Sequence, residues 1–344
     1  LGAGFLLGAV SAGLLGGGAL LAGLAIFTLG AGFLLGAISA GFRGGGALAA
    51  GGALAADSGN PYLFVLGVAQ DAGYPQTGCY KEHCLPGWED ARRRRGAASL
   101  ALINPADDKK YIFDATPDFP AQLYALEVEA PSERYDLNGI FLTHAHIGHY
   151  TGLMFLGHEA MGASGVPVYA MPRMKDYLAG NGPWSQLVNY KNIILKALHN
   201  EKTEHLGVLK VTPFLVPHRD EYSETVGYRI DGPVKSAVFI PDINKWTDWQ
   251  TDLSELVQSV DYALIDATFF ADGELPGRDM SKIPHPFVVE SMETLQALSA
   301  KDRNKVWFIH LNHTNPLLNT QSEESKLVRA KGFNIAVEGI RLDL

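Results

Sequence analysis

Three histidines lie within six residues of one another, directly after a short apolar segment at residues 140–143. They are His144, His146 and His149. If the strand continues past residue 143, His144 and His146 project from the same side, and His149 falls on the following turn, where it can approach a second position. Buried imidazoles need partners for both ring nitrogens, and a metal ion is the simplest such partner. The pattern predicts a metal site, with a solvated histidine-rich loop as the alternative.

Three later apolar segments also end in side chains that bind metals. His218 follows the segment 209–215. Asp242 follows the segment 237–240, where a carboxylate could bridge two cations or simply form a turn. His310 and His313 stand at the end of the segment 306–310. One such strand end is common by chance, but several in this order on one chain predict a single metal centre.

Taken together, these residues resemble the ordered ligand set of the metallo-β-lactamase superfamily, whose first motif is HxHxDH. Within that superfamily, residues 62–344 resemble the branch of the coenzyme PQQ biosynthesis protein B and its metallohydrolase relatives. Further segments that carry the resemblance are residues 73–76, 115–118, 266–269, 309–316 and 338–341. The resemblance implies an α/β fold, the αββα sandwich, with metals in a cleft at one edge of the two sheets.

The resemblance also implies which side chains hold the metals. The implied ligands are His144, His146 and His218 for the first ion, His149 and His310 for the second, and Asp242 as the bridge. Gly148 stands where the motif has its aspartate, so we expect a filled first site and a weakened or empty second site. The biosynthesis protein itself lacks histidines at the start of the motif that are present here, which places this chain closer to a hydrolytic relative.

Zinc bound by neutral imidazoles lowers the pKa of its water to about 7 and polarises a carbonyl or phosphoryl oxygen. The first hypothesis is therefore a zinc-dependent hydrolase that cleaves an ester, lactone or phosphodiester of a small-molecule or peptide-derived substrate. Asp242 or His313 would orient the nucleophile or protonate the leaving group, with His310 preferred over His313 as the ligand. The second hypothesis is an oxidoreductase with Fe²⁺ in the same cleft, similar to the biosynthesis protein B.

A separate loop contains both cysteines of the chain, Cys79 and Cys84, with His83 between them. Two cysteines are too few for a disulfide scaffold, which mildly favours a reducing compartment. The resemblance implies a structural zinc here, because relatives use cysteines at this place for that purpose. A closed tetrahedral site needs four ligands and only three are near in sequence, so a pair of reduced thiols is the alternative.

Three other features could contact or orient the substrate. Arg95 ends a run of four arginines, which is either a solvated loop or a clamp for an anionic substrate, since arginine binds phosphate in a bidentate manner. His285 stands between two prolines and could line the pocket. Asp266 ends an apolar segment and could orient a ligand histidine from behind.

Short apolar or β-branched segments alternate with helical patterns after residue 61, which is typical of a layered α/β sandwich. The predicted strands are residues 63–68, 99–103, 111–114, 139–143, 166–169, 209–215, 225–230, 237–240, 262–266, 306–310 and 334–337. The predicted helices are residues 121–129, 151–161, 174–178, 287–298 and 322–330. Several of these strands end at a histidine or an aspartate, so the elements place the chemistry at strand ends.

The amino-terminal part differs in composition from the rest. Residues 1–56 contain 17 of the 38 glycines, the first charged residue is Arg43, and residues 1–18 recur almost unchanged as residues 29–46. Such a segment could form a membrane helix or hairpin, mediate self-association, or be a flexible tail. We expect a leader at residues 1–57 and a catalytic domain at residues 58–344, located at a membrane or in the cytoplasm. A non-catalytic scaffold tethered by residues 1–56 is the third hypothesis.

The formal net charge is −9, and it belongs to the part of the chain after the leader, because Arg43 and Asp57 cancel. An acidic body of this length argues against broad nucleic-acid binding. We therefore expect no nucleic-acid partner.

Overall fold

The computed structural model describes residues 59–132 and 137–344. In this part the chain forms two mixed sheets of seven strands each. The first sheet has the order β14-β1-β2-β3-β4-β5-β6. Its strands are β1 (Tyr62–Gly67), β2 (Ser99–Asn104), β3 (Lys109–Phe113), β4 (Gly139–Phe141), β5 (Val166–Ala170), β6 (Ile193–Ala197) and β14 (Arg341–Asp343).

The second sheet has the order β13-β12-β11-β10-β9-β8-β7. Its strands are β7 (Glu204–Leu206), β8 (Leu209–Leu215), β9 (Val226–Asp231), β10 (Ser236–Ile240), β11 (Tyr262–Asp266), β12 (Val306–Ile309) and β13 (Asn334–Ile335). In both sheets one half is parallel, from β3 to β6 and from β10 to β13. Parallel strands that are covered on both faces read as continuous apolar segments, which is why all of these strands except the edge strand β6 could be predicted from the sequence.

Nine helices lie between the strands in the described part of the chain, and several of them cover the outer faces of the sheets. They are α1 (Leu85–Glu89), α2 (Phe119–Glu129), α3 (Ile147–Tyr150), α4 (Pro172–Gly180), α5 (Trp184–Asn189), α6 (Leu253–Gln258), α7 (Val288–Thr294), α8 (Ala300–Arg303) and α9 (Glu323–Ala330). Helix α9 begins where the Ser322 hydroxyl accepts the Ser325 amide, and α6 begins where Asp252 accepts the amides of Ser254 and Glu255. Both are ordinary N-caps. The layered α/β sandwich predicted from the sequence is confirmed.

The core between the two sheets contains a group of packed aromatic side chains among aliphatic ones. Phe113 stacks on Phe141 with 5.1 Å between ring centroids, and Phe141 stacks on Tyr169 at 4.4 Å. Tyr228 and Phe239 from the second sheet contact Phe113 edge-on or tilted. Aromatic pairs in these geometries add to the free energy of burial itself. The two sheets are therefore held as one rigid support for the loops at their edge.

The eleven predicted strands are all present, with ends that differ by a few residues, but β6, β7 and β14 were missed. Strands β7 and β14 have three residues each, and β6 has a partly exposed pattern at a sheet edge, so none shows a clear period. The predicted helix 151–161 is wrong. Helix α3 ends at Tyr150, a 3-10 turn follows over Thr151–Leu156, and Gly157 ends it. The short helices α1, α5, α6 and α8 were also missed.

The leader predicted at residues 1–57 lies outside the described residues. In the part of the chain that the structure describes, no helix is both long enough and apolar enough to cross a membrane. The predictions of a membrane helix, of self-association and of the boundary at residue 57 therefore stay predictions.

A buried lysine supports the outer face of the first sheet and yields a stability prediction. Lys110 is 4% exposed, and its Nζ donates hydrogen bonds to Glu127 Oε2 (2.8 Å), the Ala130 carbonyl (2.7 Å) and Ser132 Oγ (2.9 Å). Partial burial alone would raise the pKa of Glu127, but the hydrogen bonds from Lys110 and Ser132 outweigh it and lower that pKa. The ionised carboxylate of Glu127 therefore stabilises the folded state.

We expect Glu127→Gln to lower the free energy of unfolding by about 1–3 kcal/mol at pH 7, because a charge-assisted hydrogen bond to a buried ammonium is lost. The carboxylate has a lower pKa in the folded chain, so its contribution is complete above the unfolded value of about 4.3 and is lost as the pH falls through the folded value. Urea unfolding should show the difference unchanged from pH 7 to about pH 5 and shrinking below about pH 4. Glu129→Gln on the same helix is the control, and an equal effect there would contradict the assignment.

Candidate metal centre

Strand ends from both sheets deliver the candidate ligands to one place. Strand β4 leads into His144 and His146, and β8 leads into His218. Strand β10 ends before Asp242, and β12 ends before His310. Strand β4 stops at Phe141, earlier than predicted. The Thr143 amide donates to Asp114 Oδ1 (2.8 Å) instead of to a neighbouring strand, and the chain turns there toward the second sheet.

Four side chains form the first cluster: His144, His146, His218 and Asp242. His146 Nδ1 lies 2.9 Å from His144 Nε2 and 3.2 Å from His218 Nε2. Asp242 Oδ2 lies 3.3 Å from His144 Nε2 and 3.1 Å from His218 Nε2. Four donor atoms around one tetrahedral zinc ion, at bonds of about 2.0–2.1 Å, are about 3.3 Å apart. The structure brings together the three histidines expected at the first site and the carboxylate expected as the bridge.

Each histidine of this cluster is held through its other ring nitrogen. His144 Nδ1 lies 2.9 Å from Thr143 Oγ1, His218 Nδ1 lies 3.3 Å from Asn244 Oδ1, and His146 Nε2 lies 3.2 Å from Glu221 Oε2. Such contacts orient the ring and fix which nitrogen faces a metal. Burial and the neighbouring His149 lower the pKa of His144 well below its ordinary value, so the ring stays neutral, as a ligand must.

The second cluster consists of His149, His310 and Asp71. His149 and His310 are fully buried, and in the described part of the chain their Nε2 atoms have no hydrogen-bond partner. His149 Nδ1 lies 2.7 Å from Asp114 Oδ2, and His310 Nδ1 lies 3.0 Å from Thr268 Oγ1. Asp242 lies between the clusters, with Oδ2 at 3.8 Å from His149 Nε2. Of the pair His310 and His313, the structure therefore places His310 at the metal centre.

His310 of the second cluster and Asp114, which contacts His149, have an unusual backbone. His310 has φ +66° and Asp114 has φ +63°, both in the left-handed region that side chains other than glycine rarely adopt. Such conformations cost about 1–3 kcal/mol each and persist where the surrounding structure requires them. Here the left-handed turn at His310 directly follows β12, and it allows the ring to turn into the cleft beside His149.

His285 and Asp266 lie directly behind the bridging carboxylate. His285 Nδ1 is 2.9 Å from Asp266 Oδ2 and 3.2 Å from Asp242 Oδ1. Burial alone would lower the pKa of His285, but the two carboxylates raise it to about 9. Asp266 Oδ1 also accepts from Thr268 Oγ1 (2.7 Å), the hydroxyl next to His310. The geometry thus joins Asp266 to His285 directly and to His310 through Thr268.

The cysteine loop acquires a fourth donor from far along the chain. Cys79, His83, Cys84 and His313 have ligand atoms within 4.8 Å of one another. Cys79 Sγ lies 3.3 Å from His83 Nε2, and the His83 and His313 ring centroids are 5.4 Å apart. Both cysteines are free thiols, and burial and the neighbouring Cys79 raise the pKa of the Cys84 thiol to about 11. This donor set is the closed Cys₂His₂ type of a structural zinc site.

Two sequence predictions need correction here. His313 was a candidate proton donor at the active site, but its ring belongs to the cysteine cluster. Arg95 was a candidate substrate contact, but its Nη1 donates to the backbone carbonyls of Arg92 (3.0 Å) and Arg94 (2.6 Å). It lines a cavity of about 430 Å³ together with His83 and His313. His313 lies at the cysteine cluster because the left-handed turn at His310 carries the following residues away from the metal centre. Arg95 lies beside the same cluster.

Sequence reasoning missed several residues of the centre. Asp71 lies in a loop and belongs to no recognisable motif. Glu221 lies in a polar segment that does not directly follow a predicted strand. Asp114 ended a predicted strand, as the ligand residues do, and could have been found by that position. Thr268 belonged to a segment that carries the family resemblance but had no assigned role. Each acts through contacts with residues far away in sequence.

The donor set fits a bound cation. His149 Nε2 and His310 Nε2 are buried and without a hydrogen-bond partner among the described residues, and buried polar groups of this kind are rarely left unpaired. Burial would lower the pKa of His149, but Asp114, Asp242 and Asp71 raise it to about 9, so the carboxylates around this ring favour a positive charge at its position. Imidazole and carboxylate donors of this kind suit zinc.

Comparison with known proteins agrees with the fold. Residues 109–311 match the model of the beta-lactamase superfamily domain, and the chain belongs to this superfamily, with the metallo-β-lactamase fold. Among curated relatives, coenzyme PQQ synthesis protein B of Xanthomonas oryzae pv. oryzae is 28% identical over 307 residues, which cover 82% of this chain and 99% of that protein. The same protein of a Methylobacterium strain is 25% identical over 305 residues, 81% of this chain and 99% of that protein.

Solved structures show the same fold. Zn²⁺-bound PqqB from Methylobacterium extorquens superposes with a TM-score of 0.70 at 24% identity, covering 82% of this chain and 100% of that one. A diphosphatase from the PhnP family gives a TM-score of 0.57 at 22% identity, covering 83% and 97%. The family and the αββα sandwich expected from the sequence are confirmed.

Proposed function

We propose that the protein is a zinc-dependent hydrolase that cleaves an ester, lactone or phosphodiester bond. The observation that carries the proposal is a pair of adjacent donor clusters with Asp242 between them, in which two buried imidazole nitrogens have no hydrogen-bond partner among the described residues. The expected first site is complete, and a relative of the same fold is described as Zn²⁺-bound. Three imidazoles around one position are a typical environment for a catalytic zinc, which keeps a further position open for water.

Zinc in such a site supplies a hydroxide nucleophile at neutral pH and polarises the oxygen of the bond to be cleaved. The chain's own residues determine where that chemistry takes place. Thr143, Asn244 and Glu221 hold the ligand rings in place, which keeps the donor atoms from relaxing when substrate binds. Asp242 is 4% exposed, so its negative charge acts at short range on both clusters.

His285 is the residue best placed to move a proton. Its Nδ1 lies between Asp266 and Asp242, and these carboxylates raise its pKa to about 9, so at neutral pH the ring is protonated. A protonated imidazole beside the bridging carboxylate can donate to a leaving group. His285 therefore takes the role that the sequence had given to His313, and Asp266 holds it in position.

A cavity of about 730 Å³ opens beside His218 and can accept the substrate. Its lining includes the apolar side chains of Leu215 and Trp249 and the carboxylates of Asp220 and Glu224. Mixed walls of this kind favour a substrate with an apolar part next to its reacting group. A fold neighbour is described as a diphosphatase, and that description makes phosphate esters one class to test beside carboxylic esters and lactones.

The test uses the purified full chain. Its metal content is measured by elemental analysis, and hydrolysis is measured on p-nitrophenyl acetate, a simple γ-lactone and bis(p-nitrophenyl) phosphate. We expect stoichiometric zinc and turnover of at least one probe, lost after chelation and restored by Zn²⁺. Stoichiometric iron together with oxygen consumption would instead support the oxidoreductase hypothesis. Failure of the zinc-loaded protein to hydrolyse any of the three would contradict the proposal.

A further inference from the structure

We infer that Asp71, from the loop after β1, is the carboxylate ligand of the second metal position and replaces the aspartate that HxHxDH normally supplies. This inference rests on the metal centre of the proposed function but not on the bond it cleaves. It changes the expectation drawn from Gly148, because the second position has a carboxylate after all. Asp71 and Gly148 are 77 residues apart in the chain, and no local motif connects them.

The space around Gly148 shows that Asp71 stands where a side chain on residue 148 would lie. A Cβ atom on residue 148 would lie 2.4 Å from Asp71 Cα, 2.4 Å from Asp71 Oδ1 and 2.9 Å from Asp71 Cβ. Carbon atoms do not approach so closely without a shift of the chain. The carboxylate of Asp71 therefore occupies the space where a side chain on residue 148 would begin, and Gly148 is the residue that permits it.

The loop that carries Asp71 is attached to the segment that carries His310. Leu311 follows His310, and its amide donates to the Val68 carbonyl (2.8 Å), while the Gln70 amide donates to the Leu311 carbonyl (2.8 Å). Ala69 also forms an isolated bridge with Leu311. These hydrogen bonds fix the positions just before Asp71 relative to a ligand of the same metal position, so the carboxylate is placed by the fold rather than by chance.

The backbone at Asp71 is specialised as well. Asp71 has φ +38°, a region in which aspartate and asparagine are enriched among residues other than glycine. The Gly73 amide donates to the Gln70 carbonyl (3.0 Å) and closes a tight turn around Asp71. The turn directs the side chain toward His149 instead of along the surface.

The charges around the position complete the argument. Asp71 Oδ1 lies 3.7 Å from His149 Nε2, and the donor atoms of Asp71, His149 and His310 lie within 4.8 Å of one another. The Nε2 atoms of both histidines are buried and have no hydrogen-bond partner in the described part of the chain. Asp71 is 41% exposed at its side chain, so this position opens to solvent while its histidines are buried. Two imidazoles, Asp71 and the bridging Asp242 supply four donors for a second cation.

The inference is tested by counting ions with Mn²⁺. This probe prefers nitrogen and oxygen donors, whereas a thiolate site selects zinc, so the cysteine cluster does not interfere. The full chain is depleted of metal with a chelator and titrated with Mn²⁺, and the electron paramagnetic resonance signal of free Mn²⁺ reports what stays unbound. We expect two ions to bind to the unaltered protein. Asp71→Asn, which keeps the shape but removes the charge, should weaken the second ion at least about tenfold, since even partners outside the ligand shell contribute 10–100-fold.

Gly148→Ala gives a second route to the same loss. Its Cβ must displace Asp71 while both histidines stay unchanged, so it should also weaken the second ion. Asp108→Asn is the matched control, because Asp108 is an exposed aspartate with a left-handed backbone at φ +50°. Circular dichroism verifies that each variant is folded. Two ions bound at unchanged affinity by either variant, or one ion bound by the unaltered protein, would overturn the inference. Hydrolysis is not used, so failure of the proposed reaction leaves this result separate.

Discussion

Replacement of Asp242 with asparagine should lower kcat/KM by about 10³-fold on whichever probe ester the zinc-loaded protein hydrolyses. The Asp242 carboxylate reaches donors of both clusters, with Oδ2 at 3.1 Å from His218 Nε2 and 3.8 Å from His149 Nε2. An asparagine keeps the volume and removes the charge. Stabilisation of several kcal/mol in a metal-assisted transition state corresponds to about 10³-fold in rate, at 1.36 kcal/mol per tenfold change.

The same substitution should also change the protein in two ways that a kinetic defect alone would not. Zinc content should fall, because the shared anionic ligand is lost. The pKa of His285 should fall too, because Asp242 and Asp266 are the carboxylates that raise it. Elemental analysis measures the first change, and an NMR titration of the imidazole measures the second. Asp272→Asn, at an exposed position, is the control. An Asp242→Asn protein within tenfold of the unaltered rate and with full zinc would rule out the bridging role.

We expect His313→Ala to release one equivalent of zinc and to lower the free energy of unfolding by about 3 kcal/mol, with a fall in Tm of roughly 6–12 °C. His313 completes the cluster of Cys79, His83 and Cys84, and a closed site with three ligands loses most of its affinity. Without metal the Cys84 thiol has a pKa raised to about 11, so zinc must displace that proton, and binding to the folded state stabilises it.

This result separates two roles for His313. As a structural ligand, its loss removes zinc and stability together, and Cys84→Ser should produce the same pair of changes. As the proton donor expected from the sequence, its loss would lower kcat with zinc content and Tm unchanged. Thermal unfolding and elemental analysis of the same samples distinguish the roles. His199→Ala, at an exposed histidine, controls for loss of an imidazole as such.

Much of the metal centre could be predicted because its ligands follow buried parallel strands. His144, Asp242 and His310 each lie within a few residues of a strand end. The strands themselves can be predicted because they are continuous apolar segments. Short edge strands such as β14 carry no such signal, because three residues show no period. The central strands of both sheets could therefore be predicted from the sequence, whereas the edge strands β6, β7 and β14 could not.

The remaining parts of the site depend on contacts that only the folded chain creates. Asp71 reaches its position through hydrogen bonds with Leu311, and Asp114 reaches His149 from a neighbouring strand. His313 was misplaced because the left-handed turn at His310 redirects the chain between the two histidines. A turn of this kind leaves no trace in spacing or composition. Residue type and strand position identified the ligands, but not the residues that orient or replace them.

One short segment belongs to both metal clusters. His310 belongs to the cluster of histidines and aspartates, and His313 belongs to the cysteine cluster. Only Leu311 and Asn312 lie between them in the chain. The Asn312 amide donates to the Thr268 carbonyl (2.9 Å), and Thr268 also contacts His310. A zinc ion at the cysteines would thus anchor the segment that presents a ligand to the other centre. Under zinc starvation, loss of zinc from the cysteine loop would then loosen the position of His310 as well, even though the catalytic cleft itself is unchanged.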